Sequence, residues 1–219
     1  MSERKPLIVI DGVAGAGKST VTTSLARELQ LEQLYCSNIF RILAHQHSQH
    51  GDLERTRSDA AKLEASVMFA RLTAPALRRE EVAEIAGQLA TDPVIHQLSL
   101  DLARHAYTSL PASSRGLIAE GRGLGNEVFA DGEFEAGLKI FMTADLDVRI
   151  GRRKSLATPP LQEAGRRAIE ARDQNDMQRQ FFRLAAAPDA VVIDTTPFTA
   201  RQTHEALQKL VLGRYPQLG

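Results

Sequence analysis

The chain has 219 residues, 43% of them hydrophobic, enough for one α/β domain with a substantial core. Lysine plus arginine and aspartate plus glutamate number 27 each, which removes any global basic field and with it nucleic acid as the main partner. The single cysteine, Cys36, excludes an internal disulfide framework, and no apolar run is long enough to span a bilayer. The stretch from Met1 to Pro6 lacks the features of a signal peptide, so a cytoplasmic protein without membrane association is expected.

In chain order, Leu7 to Ile10 is a short β-branched apolar run that reads as a buried strand. Gly12-Val13-Ala14-Gly15-Ala16-Gly17-Lys18-Ser19 follows and matches G-x-x-x-x-G-K-[ST]. Val21, Leu25, Ala26 and Leu29 then mark one face of a helix. Strand, glycine loop and helix are the setting this phosphate-binding motif needs. Glycines let backbone N–H groups point inward around a phosphate chain, and the helix N-terminus adds its positive dipole end. Gly12, Ala14, Gly15, Ala16, Gly17, Lys18, Ser19 and Thr20 are therefore the expected nucleotide-binding residues. Lys18 would reach the outer phosphates, and the Ser19 hydroxyl would bind magnesium.

Further strands are read at Leu34 to Cys36, Leu117 to Ala119, Leu138 to Met142 and Ala190 to Ile193. Helices are expected over Asn38 to His50, Thr56 to Leu72, Arg79 to Thr91, and from Pro93 to about Ser109 with Asp92 as its cap. Others are expected at Asp147 to Ser155, at Leu161 to Leu184 after the break Thr158-Pro159-Pro160, and at Thr199 to Leu212. The alternation predicts an α/β fold: a five-stranded parallel sheet with helices on both faces. One domain over 1–219 is expected. Its helical subregion 38–92 would bind an acceptor, and an arginine-rich region, 150–186, would be a lid.

The second half is rich in arginine: Arg149, Arg152 and Arg153, then Arg172 and Arg179. Phosphoryl transfer needs positive charge around a group that carries its own negative charge. On a helix, Arg172, Asp176 and Arg179 share one face, as two phosphate clamps oriented by a carboxylate or as a solvated, salt-bridged surface. Leu117-Ile118-Ala119-Glu120-Gly121-Arg122 places Glu120 and Arg122 at the carboxyl end of a strand, where open parallel sheets bind ligands. Glu120 is expected to hold magnesium, directly or through water, and Arg122 to meet a phosphate. His45, His47 and His50 do not share a helix face and have no accompanying Cys or acidic ligand set, so a solvated helix end is expected.

Leu117 to Phe141, Arg149 to Arg153, Arg172 to Arg179 and Pro188 to Thr196 resemble bacterial cytidylate kinases, with Ile39-Phe40-Arg41, Arg78 to Val82 and Pro93-Val94 in the same frame. The resemblance implies a phosphate-loop nucleoside-monophosphate kinase fold and transfer of the ATP γ-phosphoryl group to CMP or dCMP, with magnesium. It implies catalytic roles for Lys18, Arg122, Arg172 and Arg179. Arg41, Arg122, Arg172, Asp176 and Arg179 would serve the acceptor, Arg149 and Arg153 the ATP side of the lid, and Asp194-Thr195-Thr196 the surroundings of the adenine. Action as a monomer is expected.

The chain departs from that family where base and sugar are read. Gly123 stands in place of an aspartate, Tyr35-Cys36-Ser37 in place of Asp-Ser-Gly, and Gly87 and Ile95 in place of a serine and an arginine. Phosphate-binding groups are kept and base-reading groups are largely gone. Two alternatives therefore stay open: a kinase of another small acceptor, and a catalytically silent nucleotide-binding protein.

Overall fold

The computed structural model describes residues 4–69, 74–152 and 159–219. In chain order these form β1 (Leu7–Gly12), α1 (Lys18–Leu29), β2 (Glu32–Tyr35), α2 (Asn38–His50), α3 (Leu53–Ala60), α4 (Glu80–Leu89), α5 (Pro93–Thr108), β3 (Leu117–Glu120), α6 (Leu124–Glu127), β4 (Leu138–Thr143), α7 (Leu146–Gly151), α8 (Pro159–Gln178), β5 (Val191–Asp194) and α9 (Ala200–Arg214). Short 3-10 turns occur at Ala65–Met68, Pro75–Arg78, Gly132–Phe134 and Pro216–Leu218. The chain divides into two compact units, Met1–Gln33 with Ser113–Gly219, and Leu34–Ala112.

The first unit is built on a parallel sheet in the order β2-β3-β1-β4-β5. β1 is its central strand and is buried along its whole length, which is why it reads as an unbroken apolar run. Register pairs Ile10 with Glu120 and Gly12 with Met142, so the carboxyl ends of β1, β3 and β4 finish at one edge. The chain crosses from one side of β1 to the other at this edge, the switch point where parallel sheets hold ligands. One face of the sheet presents Ile8, Ile10, Ile118, Ile140 and Met142 to Val21, Leu25 and Leu29 of α1 and to Leu207 and Val211 of α9. Burying each of these large side chains contributes about 2 kcal/mol. The opposite face carries Asp11 and Lys139, both buried, with α6 packed near β1. Helices thus lie on both faces of the sheet, as the sequence predicts.

Lys139 is a buried lysine whose ammonium has two partners, the Ala130 carbonyl at 3.1 Å and the Asp189 carboxylate at 3.0 Å. It ties the loops that precede β4 and β5 together. Thr199 starts α9 with a capping box, its hydroxyl accepting from Gln202 N while the Gln202 side chain accepts from Thr199 N.

Five elements differ from expectation. β2 begins at Glu32, two residues early, and leaves Cys36 outside the strand. The helix expected over Thr56 to Leu72 is α3, begun earlier by the Asp52 cap on Arg55 N and ended after Ala60, where Lys62 N and Leu63 N bond to carbonyls three residues back; residues 70–72 of that expectation lie outside the described residues. The helix expected from Leu161 starts at Pro159, because proline is tolerated in a first turn, and ends at Gln178. Arg179 therefore lies just beyond α8. The helix expected over Asp147 to Ser155 is described only as Leu146–Gly151, and residues 153–155 lie outside the described residues. α6 was not anticipated; it is a single helical turn with little periodicity to read.

In the second unit, Asp92 caps α5 as expected, accepting from Val94 N and Ile95 N at 3.1 Å each. The same carboxylate receives the Arg57 guanidinium, with Nη2 at 2.6 Å and Nε at 3.1 Å. Both interactions hold the Asp92 carboxyl below the usual carboxylate range against the cost of its burial. Asp92→Ala is expected to destabilise the protein by about 2 kcal/mol, and Asp92→Asn, which keeps the cap, by about 1 kcal/mol. Urea denaturation checks the order of the two.

Candidate active site

The glycine loop begins where β1 ends. An added Cβ at Gly12 would sit 2.0 Å from the Met142 carbonyl oxygen, so β4 approaches the loop too closely for any side chain there. Gly17 caps α1 in the left-handed region at φ 97° and supplies no side-chain cap. The first turn of α1 also contains no acidic residue. Its N–H groups and its positive dipole end are thus left for an anion. Ser19 and Thr20 stand exposed in this first turn.

Lys18 Nζ donates to the carbonyls of Gly12 at 2.6 Å and Val13 at 2.8 Å. Burial pulls its pKa from 10.5 down to about 7; Arg122 and Arg172 pull the same way, opposed by Glu120 and Asp11. Such a lysine regains its proton when phosphate charge arrives beside it. Ser19 Oγ donates to Glu120 Oε1 at 3.0 Å, so the two expected metal ligands are in contact. Burial raises the Glu120 pKa, opposed by hydrogen bonds from the Ser19 and Thr22 side chains and by the nearby Lys18 charge. A hydroxyl beside a desolvated carboxylate is a hard oxygen donor set that fits magnesium. The loop, lysine and helix terminus fit a polyphosphate.

Asp176 is the centre of the arginine cluster and is fully buried. Arg122 Nε lies 2.8 Å from its Oδ2, Arg179 Nη2 lies 2.9 Å from its Oδ1, and Arg172 Nε stands 3.9 Å from Oδ2. Three guanidinium groups thus surround one carboxylate, and the cluster keeps a net positive charge. Burial lowers the Arg179 pKa, Asp176 opposes this, and Arg122 adds to it. Arg172 and Asp176 share one face of α8, while Arg179, expected on that same helix face, lies beyond its end. The third member of the set reaches Asp176 from the turn after the helix.

Arg149 is buried. Its Nη1 donates to the Ala14 carbonyl at 3.1 Å and pairs with Asp173 Oδ2, so its charge is matched and it braces the loop backbone. Arg152 donates to Thr195 Oγ1 at 3.0 Å, Thr195 O at 2.7 Å and Phe198 O at 3.1 Å, holding the loop after β5. The Thr195 hydroxyl in turn donates to the carbonyls of Ala16 and Thr143. Arg153 lies outside the described residues. Arg41 belongs to the second unit, where Nη1 donates to the Leu77 carbonyl at 2.9 Å. In that unit Ile95 is fully buried and Gly87 half-buried. His47 Nδ1 is 2.8 Å from Thr56 Oγ1, and His50 Nδ1 accepts from Asp52 N. No cluster of metal-ligating side chains occurs among the described residues, and no described helix is long and apolar enough to cross a membrane.

Sequence reasoning missed Asp11 and Asp173. Asp11 Oδ2 accepts from Gly125 N at 2.9 Å. Burial drives its pKa from 3.8 up to about 6, moderated by the N–H groups of Gly125 and Leu124 and by Lys18 and Arg122. The native state therefore binds this proton more tightly than the unfolded chain. Between pH 4 and 6 the native state is the more protonated, so Asp11 makes stability fall as pH rises through that window. Asp11→Asn is expected to flatten this slope. Thermal melts at pH 4, 5 and 6, with both variants compared at each pH, check it.

The cytidylate kinase family model matches residues 8–212. A cytidylate kinase from Azotobacter vinelandii is 34% identical, with 98% of each chain covered. Another from Marinomonas sp. is 32% identical, with 94% of this chain and 96% of that one covered. Among solved structures, a Thermus thermophilus protein superposes with a TM-score of 0.54 at 21% identity, covering 97% of this chain and 99% of that one, and so shares the fold. A full-length match at this identity, on a chain whose glycine loop and arginine cluster share the carboxyl edge of one parallel sheet, makes this chain a member of the cytidylate kinase family, a group of nucleoside-monophosphate kinases.

Proposed function

We propose that this chain transfers the γ-phosphoryl group of ATP to CMP or dCMP, releasing ADP and the diphosphate. The observation that carries the reading is the joint placement, in one unit, of a phosphate loop with a half-buried lysine and a carboxylate ringed by Arg122, Arg172 and Arg179. Loop N–H groups and the α1 terminus would hold the donor's phosphates. Lys18 would hold the outer phosphates in its ammonium form. Arg122, Arg172 and Arg179 would hold the acceptor phosphate and the transferring group. The bond from an acceptor phosphate oxygen to the γ-phosphorus forms as the bond to the leaving ADP oxygen breaks. That oxygen is already anionic, so no protein base is needed, and positioning plus charge stabilisation do the catalysis. Magnesium, held by Ser19 and Glu120, would supply shielding of phosphate charge. Arg149 would act on the ATP side by bracing the loop at Ala14, and Arg153 would serve that side from the lid, 150–186. The helical subregion 38–92, with Arg41, would bind the acceptor.

A second reading keeps the chemistry and changes the acceptor. It is favoured by the fully buried, apolar Ile95 and by Gly123, neither of which offers a side-chain hydrogen bond to a base or sugar. A site without those bonds discriminates weakly among bases. An ADP-release assay across CMP, dCMP, UMP and AMP separates the two. CMP or dCMP as best substrate by tenfold or more supports the first and rules out the second; no turnover with any of these monophosphates defeats the first, and the second then requires ADP release with another small hydroxyl or phosphate acceptor. Lys18→Ala is expected to lower kcat by at least about 100-fold with an unchanged melting profile.

A further inference from the structure

The residues after α8 turn back sharply. Leu184 N donates to Asp176 O at 2.8 Å and Arg183 Nε to Met177 O at 2.9 Å. Phe182, buried, sits in the left-handed region at φ 49°, which a side chain rarely adopts unaided. This turn rests on α6. The Glu127 carboxylate accepts from the backbone N–H of Arg183, with Oε1 at 3.3 Å, and from that of Phe182. Asn126 Nδ2 donates to Ala185 O at 2.9 Å. Gly123, in the left-handed region at φ 74°, has the Arg183 carbonyl oxygen only 2.6 Å from where a Cβ would be, so the turn lies directly on the residue after Arg122. The two arginines closest to Asp176, Arg122 and Arg179, thus leave on segments that touch each other, and Glu127, beside Asn126, joins them.

We infer that Glu127 is a positioning residue for phosphoryl transfer: by holding the N–H groups of Phe182 and Arg183 it fixes the turn that aims Arg179 at Asp176 and at the acceptor phosphate. The inference rests on the kinase reading above. Glu127 is half-buried; desolvation raises its pKa, and the N–H groups of Arg183 and Phe182 oppose that rise by bonding to the carboxylate. A backbone-binding carboxylate selects one turn conformation without touching substrate.

The test uses the full chain with ATP and CMP. Glu127→Ala is expected to lower kcat at least tenfold while the KM for ATP stays within twofold. Glu127→Gln, whose side-chain oxygen still accepts one N–H, recovers part of that loss. In an Arg179→Ala background, Glu127→Ala costs less than a further twofold, because the arginine it aims is gone. A kcat within twofold of wild type, or an equal loss in both backgrounds, overturns the inference. Should Glu127→Ala fail to fold, Glu127→Gln is judged by the same criteria. Hydrogen exchange separates failure of this inference from failure of the kinase reading. Even if no monophosphate is turned over, the amides of Phe182 and Arg183 lose at least tenfold protection in Glu127→Ala or Glu127→Gln, and unchanged protection in both overturns it.

Discussion

A buried carboxylate among arginines is the interaction on which the candidate active site depends. Asp176 has no exposure to solvent, and a lone charge in such a place costs several kcal/mol. Arg122 and Arg179 offset that cost at contact distance, with Arg172 slightly farther away. The dependence runs both ways. Without Asp176, three guanidinium groups would repel one another and disperse into solvent. With it they stay close, still carrying net positive charge. The carboxylate thus works as a counter-ion of deficient strength: enough to gather the cations, too little to neutralise them.

The sheet explains why these groups and the glycine loop belong to one unit. β1 is central and flanked in parallel by β3 and β4, so the segments leaving all three strands emerge at one edge. Glu120 and Arg122 leave from β3, the loop from β1, and Arg149 from the helix after β4. Interactions across long sequence separations then fix their orientation. Asp11 holds the start of α6, Arg149 pairs with Asp173 while touching Ala14, and Arg152 fastens the loop after β5. Much of the arginine content is therefore spent on backbone carbonyls and internal carboxylates.

How much of this is legible in the sequence varies with the range of the contact concerned. The strand, glycine loop and helix from Leu7 to Leu29 are local, and each residue type there has a backbone or chemical reason, so the phosphate loop and the α/β class could be read directly. Arg172 and Asp176 obey helical spacing and were legible as a pair. Spacing alone extends the same helix to Arg179, because nothing in it reveals that the chain turns after Gln178. Asp11, Asp173 and Glu127 carried no signal, since what makes them matter is a partner elsewhere: Gly125 for Asp11, Arg149 for Asp173, and the Phe182–Arg183 turn for Glu127. The shortened α3 was hidden for the opposite reason, as polar residues continue the helical pattern past the point where backbone bonding tightens into a 3-10 turn.

Lys18 carries one more implication, for thermodynamic measurements. With its pKa drawn down to about 7, the amine is only partly protonated near neutrality. A polyanion settling on the loop stabilises the ammonium, so binding takes up a fraction of a proton from the medium. The heat of binding measured by calorimetry then contains the ionisation enthalpy of whichever buffer donated that proton. Two buffers of different ionisation enthalpy give different apparent heats for the same complex, and the slope between them counts the net protons exchanged, with the proton that Lys18 gains among them.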